Sequence, residues 1–90
     1  MTEAWDPLKA AANVRKHGVR FADAATVLYD PLGVKLDESD VDGECRMALV
    51  GRDHRGRILV VVYTLRGEVT RLISARRATR RERKSYEEGI

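Results

Sequence analysis

The stretch Arg57-Ile58-Leu59-Val60-Val61-Val62-Tyr63-Thr64, followed by Leu65-Arg66-Gly67-Glu68 and then by Val69-Thr70-Arg71-Leu72-Ile73-Ser74-Ala75-Arg76, decides the architecture. Its first segment is a short β-branched run that is apolar at both alternating sets of positions, which predicts a central strand buried on both faces. Arg66-Gly67 supplies a tight hairpin turn, and residues 69–76 return antiparallel. Strict alternation along that return strand puts Arg71 on one face with Val69, Ile73 and Ala75, and Arg76 on the other with Leu72 and Ser74.

Working towards the N-terminus, residues 45–51 form another strand, joined to the central one by the turn-like Arg52-Asp53-His54-Arg55-Gly56. Val34 and Leu36 begin a weaker one. Between them residues 37–44 are dense in carboxylates, which predicts a solvated, mobile loop. Asp6-Pro7 starts a first helix, since Asp caps free amides and Pro fits the first helical position. Gly18 ends it. Leu8, Ala11 and Ala12 share one face of that helix, and Lys9, Asn13 and Lys16 share another. Phe21, Ala24, Ala25, Leu28 and Tyr29 repeat at the spacing of a second amphipathic helix, stopped by Asp30-Pro31. Towards the C-terminus, Thr79-Arg80-Arg81-Glu82 has the spacing of a capping box that opens a polar helix.

The expectation is one α+β domain over residues 1–90: two N-terminal helices, a four-stranded antiparallel sheet and a C-terminal helix. A parallel nucleotide-binding sheet is disfavoured, because no Gly-rich phosphate loop follows any strand. Ninety residues, 43% hydrophobic and 34% charged, suit one domain with a thin core. The longest apolar run is six residues against the roughly 20 a membrane-crossing helix needs, and no secretory signal opens the chain, so a cytoplasmic protein is expected. Cys45 is the single cysteine, which excludes an internal disulfide. His17 and His54 stand in no ligand spacing, so neither a metal site nor a cofactor is expected. His17 suits a helix C-terminus, and Cys45 reads as a small packed side chain.

Charge is unevenly placed. Residues 1–44 carry five basic and nine acidic side chains, a net of −4; residues 45–90 carry twelve and five, a net of +7. Eleven of those twelve are arginines, whose planar guanidinium matches phosphate oxygens in pairs. Such a half attracts nucleic acid or an acidic protein. The densest segment spans residues 76–84, where a helix start adds outward amides that favour an anion. The ordinary reading of that run is a solvated face. A strand arginine such as Arg71 or Arg76 either meets a carboxylate or lines a site. Glu44 and Arg46 flank Cys45 on one side of a strand start, as an exposed ion pair or as a base beside a cation. Tyr86 is the lone aromatic of its helix, an anchor to the sheet or a stacking platform.

Trp5-Asp6-Pro7-x-Lys9 with Asn13, then Arg15-Lys16-His17-Gly18-Val19, Phe21 and Ala24-Ala25, resembles the N-terminal signature of the BrnT family. Arg71-Leu72-Ile73-Ser74-Ala75-Arg76-Arg77-Ala78-Thr79, with Glu82-Arg83 and Tyr86, is similar to the family's C-terminal part. Arg20 and Leu28 depart from it, at positions that concern packing. The resemblance implies a RelE-like fold and a toxin of a type II toxin-antitoxin system: a ribonuclease that cuts RNA and inhibits translation. It further implies a BrnA-like antitoxin with a ribbon-helix-helix DNA-binding domain, operator DNA bound only through that antitoxin, and a homodimer or a heterotetramer with it.

Cutting RNA without a metal turns the 2′-hydroxyl on the adjacent phosphorus and needs a base, a cation over the phosphorane oxygens and an acid for the leaving oxygen. Glu44 is the expected base, with Arg46, Arg71 and Arg76 as the clamp on the transition state. Lys9, Lys16, Arg77 and Arg80 are the expected RNA contacts, Lys9 or Lys16 doubling as proton donor. The competing readings are a non-catalytic nucleic-acid binder and a docking module for an acidic protein segment.

Overall fold

A computed structural model describes residues 2–89. Five strands, β1 (Thr2–Ala4), β2 (Val34–Val41), β3 (Glu44–Arg52), β4 (Ile58–Arg66) and β5 (Val69–Arg77), form one sheet in the order β1-β5-β4-β3-β2. Helices α1 (Pro7–His17) and α2 (Phe21–Ala24) precede the meander, and α3 (Arg80–Glu88) follows it. The class is α+β, but the sheet is mixed and five-stranded instead of antiparallel and four-stranded. The additional strand, β1, runs parallel to β5 with Ala4 opposite Arg71. Three residues with a polar centre carry no strand signature of their own; the free edge of β5 makes them one.

The β4 run is central, as its apolar pattern requires. Leu59 and Val61 face a back core with Val19, Phe21, Ala24, Val27, Leu72 and Ala75. Val60 and Ile58 face a front core with Val50 and Tyr86. Trp5 meets Phe21 edge to face, with ring centroids 6.0 Å apart.

The expected second helix is one α-turn followed by a 3₁₀ segment, Ala25–Tyr29. The Thr26 hydroxyl donates to the Asp23 carbonyl at 2.7 Å, competing with regular helix geometry, and the Asp30 amide closes on the Val27 carbonyl. That tight turn lies close against Gly51, where a Cβ would come within 2.9 Å of Val27 Cγ1. The acidic stretch is no loop. It belongs to β2, which pairs with β3 through a two-residue connection, Asp42-Gly43, with φ of 51° and 77°. Positive φ at both positions is the type I′ geometry that Asp-Gly favours, and a strand whose carboxylates are exposed needs no apolar periodicity.

Helix α1 inverts its expected faces. Leu8 is 80% exposed, whereas Asn13 is buried at 6%. The Asn13 amide nitrogen donates to the Ala75 carbonyl at 2.8 Å and the Val19 carbonyl at 2.9 Å, while its oxygen accepts from the Ala75 amide at 3.1 Å. The side chain therefore does the work of a peptide group from a neighbouring strand, satisfying the edge of β5 beyond the end of β1.

Asn13→Ala strands two carbonyls and an amide in a buried setting and is expected to lower stability by roughly 2–4 kcal/mol in urea unfolding. Asn13→Asp, which keeps the acceptor but loses both donors, should be nearly as damaging; a wild-type midpoint for either variant would refute the edge-satisfying role.

Candidate functional site

Residues opposite one another on neighbouring strands share a face, and the register places Arg46 opposite Thr64 and Thr64 opposite Arg71. Arg46 and Arg71 therefore flank Thr64 on the front face, about 10 Å apart at their backbones, two strand spacings. Alternation alone puts Arg71 and Arg76 on opposite faces; here they share the front. The cause is a β-bulge: Val62 pairs with Ser74 and Tyr63 with Leu72, which leaves Ile73 unopposed and shifts the phase by one residue. Arg76, opposite Val60, thus joins Ser74 and Arg71 on the face where α3 packs. Helix α3 covers only the Val50, Ile58 and Val60 end, through Tyr86, whose hydroxyl donates to Asp30 at 2.7 Å. Tyr86 is buried and serves as the anchor.

Glu44 precedes Arg46 by two residues and shares its face. It pairs with Arg66, not Arg46: Arg66 Nε donates to its carboxylate at 3.1 Å. That bond, with the nearby cations and the Thr64 hydroxyl adding to it, holds the Glu44 carboxyl below the usual carboxylate range against the opposing effect of desolvation. Arg46 and Arg71 are half-buried, and among the described residues neither has a side-chain hydrogen bond or an ion pair. Arg46 Nε is fully buried and has no partner.

Arg76 is engaged. Its two terminal nitrogens donate to the two oxygens of Glu82 at 2.7 and 2.9 Å. Glu82 also accepts from the Thr79 amide, while its own amide donates to the Thr79 hydroxyl, completing the capping box. The start of α3 is thus filled by the protein's own carboxylate and is not an open anion site. Arg77 lies opposite Leu59, on the back face, and Arg80 is exposed on the first turn of α3; neither joins the Arg46–Arg71 row. Lys9 and Lys16 lie beside the outer edge of β5, near Ser74. Cys45 is exposed instead of packed, and partial desolvation, then Glu38 and Asp40, push its thiol upward, away from a reactive thiolate.

At the opposite end of β3, His54 Nε2 lies 2.6 Å from an Asp23 oxygen. Arg57 donates to both Asp53 and Asp23, at 3.0 and 3.2 Å. His54 first, then Arg57 and Arg55, keeps Asp23 low despite its burial. The sequence marked His54 only as a turn residue; Asp23, 31 residues away, gives it a partner. This cluster ties the β3–β4 loop to α2. Among the described residues no group of three or more His, Cys, Asp or Glu side chains could hold a metal ion, and no helix is long and apolar enough to cross a membrane.

Two comparisons bear on the chain. Residues 5–82 match the family described as ribonuclease toxin, BrnT, of type II toxin-antitoxin system. The 1.1 Å crystal structure of the Brucella abortus ribonuclease toxin BrnT is similar at 26% identity, with a TM-score of 0.68, over 89% of this chain and 100% of that one. No curated protein sequence matches significantly.

The Arg76 bond first, then the Thr79 backbone amide, depresses Glu82 from 4.5 to about 2, with desolvation opposing them. Because the folded value is the lower one, the stabilisation is fully present above pH 4.5 and is lost as pH falls towards 2. Glu82→Gln should lower stability at pH 7 by roughly 1–2 kcal/mol, allowing for solvent screening, and flatten the decline between pH 4.5 and 2 in denaturant titrations. An unchanged acid limb would remove the pair from the account.

Proposed function

Because the chain belongs to the BrnT family of type II toxins, we propose that it is an endoribonuclease whose catalytic surface is the front-face row of Arg46, Thr64 and Arg71. One observation carries this reading: two half-buried guanidinium groups flank the buried Thr64, whose hydroxyl donates to the Cys45 carbonyl at 2.7 Å, and neither has an ion pair among the described residues. A guanidinium kept half-buried without an ion pair favours a ligand that supplies acceptors to its terminal nitrogens. A phosphate supplies several oxygens, and the charge that builds on them as phosphorus becomes five-coordinate strengthens the same bonds.

In this reading Arg46 and Arg71 clamp the phosphorane oxygens. Glu44, on the same face, takes the 2′-hydroxyl proton. Its bond to Arg66 lowers its basicity, so the base limb of the pH profile lies below neutrality and cleavage is level around pH 7. Arg76 borders the clamp while seating α3, and Arg77 and Arg80 contribute general attraction for the polymer. The leaving 5′-oxygen takes its proton from water, and Lys9 and Lys16, beside the outer edge of β5, serve the RNA backbone. DNA lacks the attacking hydroxyl and is bound but not cut.

A type II family implies a cognate antitoxin. We read that partner as BrnA-like with a ribbon-helix-helix domain, and the complex as reaching operator DNA through it. The same unpaired arginines match carboxylates, so an acidic antitoxin segment seated across them blocks RNA directly.

Purified protein should cleave single-stranded RNA with a chelator present and leave DNA of the same sequence intact. Arg46→Ala and Arg71→Ala should each slow cleavage by about 10²–10³-fold with unchanged circular dichroism. Arg76→Ala should act mainly by loosening α3. Cleavage undiminished in both the Arg46 and Arg71 variants would overturn the assignment. Growth arrest on induction should be relieved by the adjacent gene.

A further inference from the structure

Between α1 and the outer edge of β5 lies an open depression of about 210 Å³, bordered by Lys9, Lys16, His17, Ile73 and Ser74 with Asn13 at its floor. No carboxylate lines it. Among the described residues, Lys9, Lys16 and His17 have no ion pair or side-chain hydrogen bond. Asn13 has no capacity to spare, since its amide is committed to Val19 and Ala75. Among the described residues the Ser74 hydroxyl has no hydrogen-bond partner either, and it is available as a neutral donor.

The ordinary explanation for cations on α1 is its dipole, and it covers Lys16 and His17 in the last turn. It fails for Lys9, the third residue of the helix, where the positive end repels a cation. Positions 9, 13, 16 and 17 share the one stripe of α1 that meets β5, so both ends of the helix aim basic groups at the same hollow. What unites them is the hollow, not the helix.

We propose that this depression is a second phosphate subsite, in which Lys9, Lys16 and His17 hold a backbone phosphate of single-stranded RNA flanking the phosphate on Arg46 and Arg71. That it takes RNA rests on the function proposed above; that it takes a phosphate rests on its own side chains. The two sites are continuous. Ser74 borders the depression, lies on the front face opposite Val62, and is two register positions from Arg71, which lies opposite Thr64, about 7 Å along the sheet. Strand β1 ends opposite Arg71, so nothing in the sheet covers that edge of β5. A flexible strand can therefore pass from the depression over the bulge onto the arginine row. The bulge that brings Arg71 to the front also opens the path.

Fluorescence anisotropy with a labelled hexaribonucleotide, 2′-O-methylated throughout so that it cannot be cut, tests this beside a labelled dinucleotide with a single internucleotide phosphate. Lys9→Ala with Lys16→Ala should weaken hexamer binding about tenfold and reduce the slope of log K against log salt by about 1.4, the loss of two single-strand contacts. Dinucleotide binding should be unchanged in that variant and weakened by Arg46→Ala with Arg71→Ala. Wild-type hexamer affinity and salt slope in the lysine variant overturn the subsite. If the arginine variant instead binds both probes normally, the clamp fails while the subsite stands. In wild type the His17 imidazole resonances should move with the hexamer; movement with inorganic phosphate but not with the hexamer would mark a free-phosphate site and refute the RNA assignment.

Discussion

The Asn13 side chain is the contact on which the rest of the arrangement depends. A sheet edge buried beside a helix needs donors and acceptors at peptide spacing, and a carboxamide is the one side chain that offers both on a single plane. Its three bonds fix α1 against β5 at Ala75 and hold the chain where it leaves the helix at Val19. Everything on the same stripe of α1 is then committed: Lys9, Lys16 and His17 meet the sheet edge, and Leu8 is left in solvent. An apolar residue at position 13 would pack but leave the edge unsatisfied, so the helix turns a polar side chain inward at this position.

The second constraint is a single unopposed residue. Ile73 shifts the phase of β5 by one position, which puts Leu72 and Ala75 in the back core and Arg71, Ser74 and Arg76 on the front. Without it, burial of Leu72 and Ala75 on the same side would be impossible for a regular strand, because their spacing is odd. The bulge thus reconciles a continuous back core with a front face that collects arginines. Strands β3 and β4 complete the row, since Arg46 and Thr64 are fixed by their register and not by any contact with Arg71.

The arginines divide by what they touch. Arg57 and Arg76 have carboxylates within 3.2 Å and serve to join elements, the β3–β4 loop to α2 and the end of β5 to α3. Arg66 is exposed and holds Glu44. Among the described residues, Arg46 and Arg71 are the only half-buried arginines without an ion pair. Charge density along the chain does not predict this division: the richest run, residues 76–84, contains the structural pair, whereas the unpaired groups come from isolated positions on two strands.

The α+β class, the central strand and two helix starts were legible in the chain. The run Ile58–Tyr63 is apolar at every position and had to be central; Asp6-Pro7 and Thr79 with Glu82 carry their caps locally; and the family motifs spread over both ends of the chain. Each of these rests on interactions within a few residues or on simple burial. The Asp42-Gly43 turn was not legible, because the carboxylates around it point towards a loop. Strand β1, the inward stripe of α1, the 3₁₀ turn, the Asp23–His54 pair and the shared face of Arg71 and Arg76 were decided by tertiary structure. Three of these depend on partners 31 to 67 residues away: His54 for Asp23, Ala75 for Asn13, Val69 for Thr2. Whether a polar side chain faces water or an unpaired backbone edge, and where a strand gains one residue, follow from which groups remain unsatisfied once the sheet has assembled, and no periodicity in the chain records that.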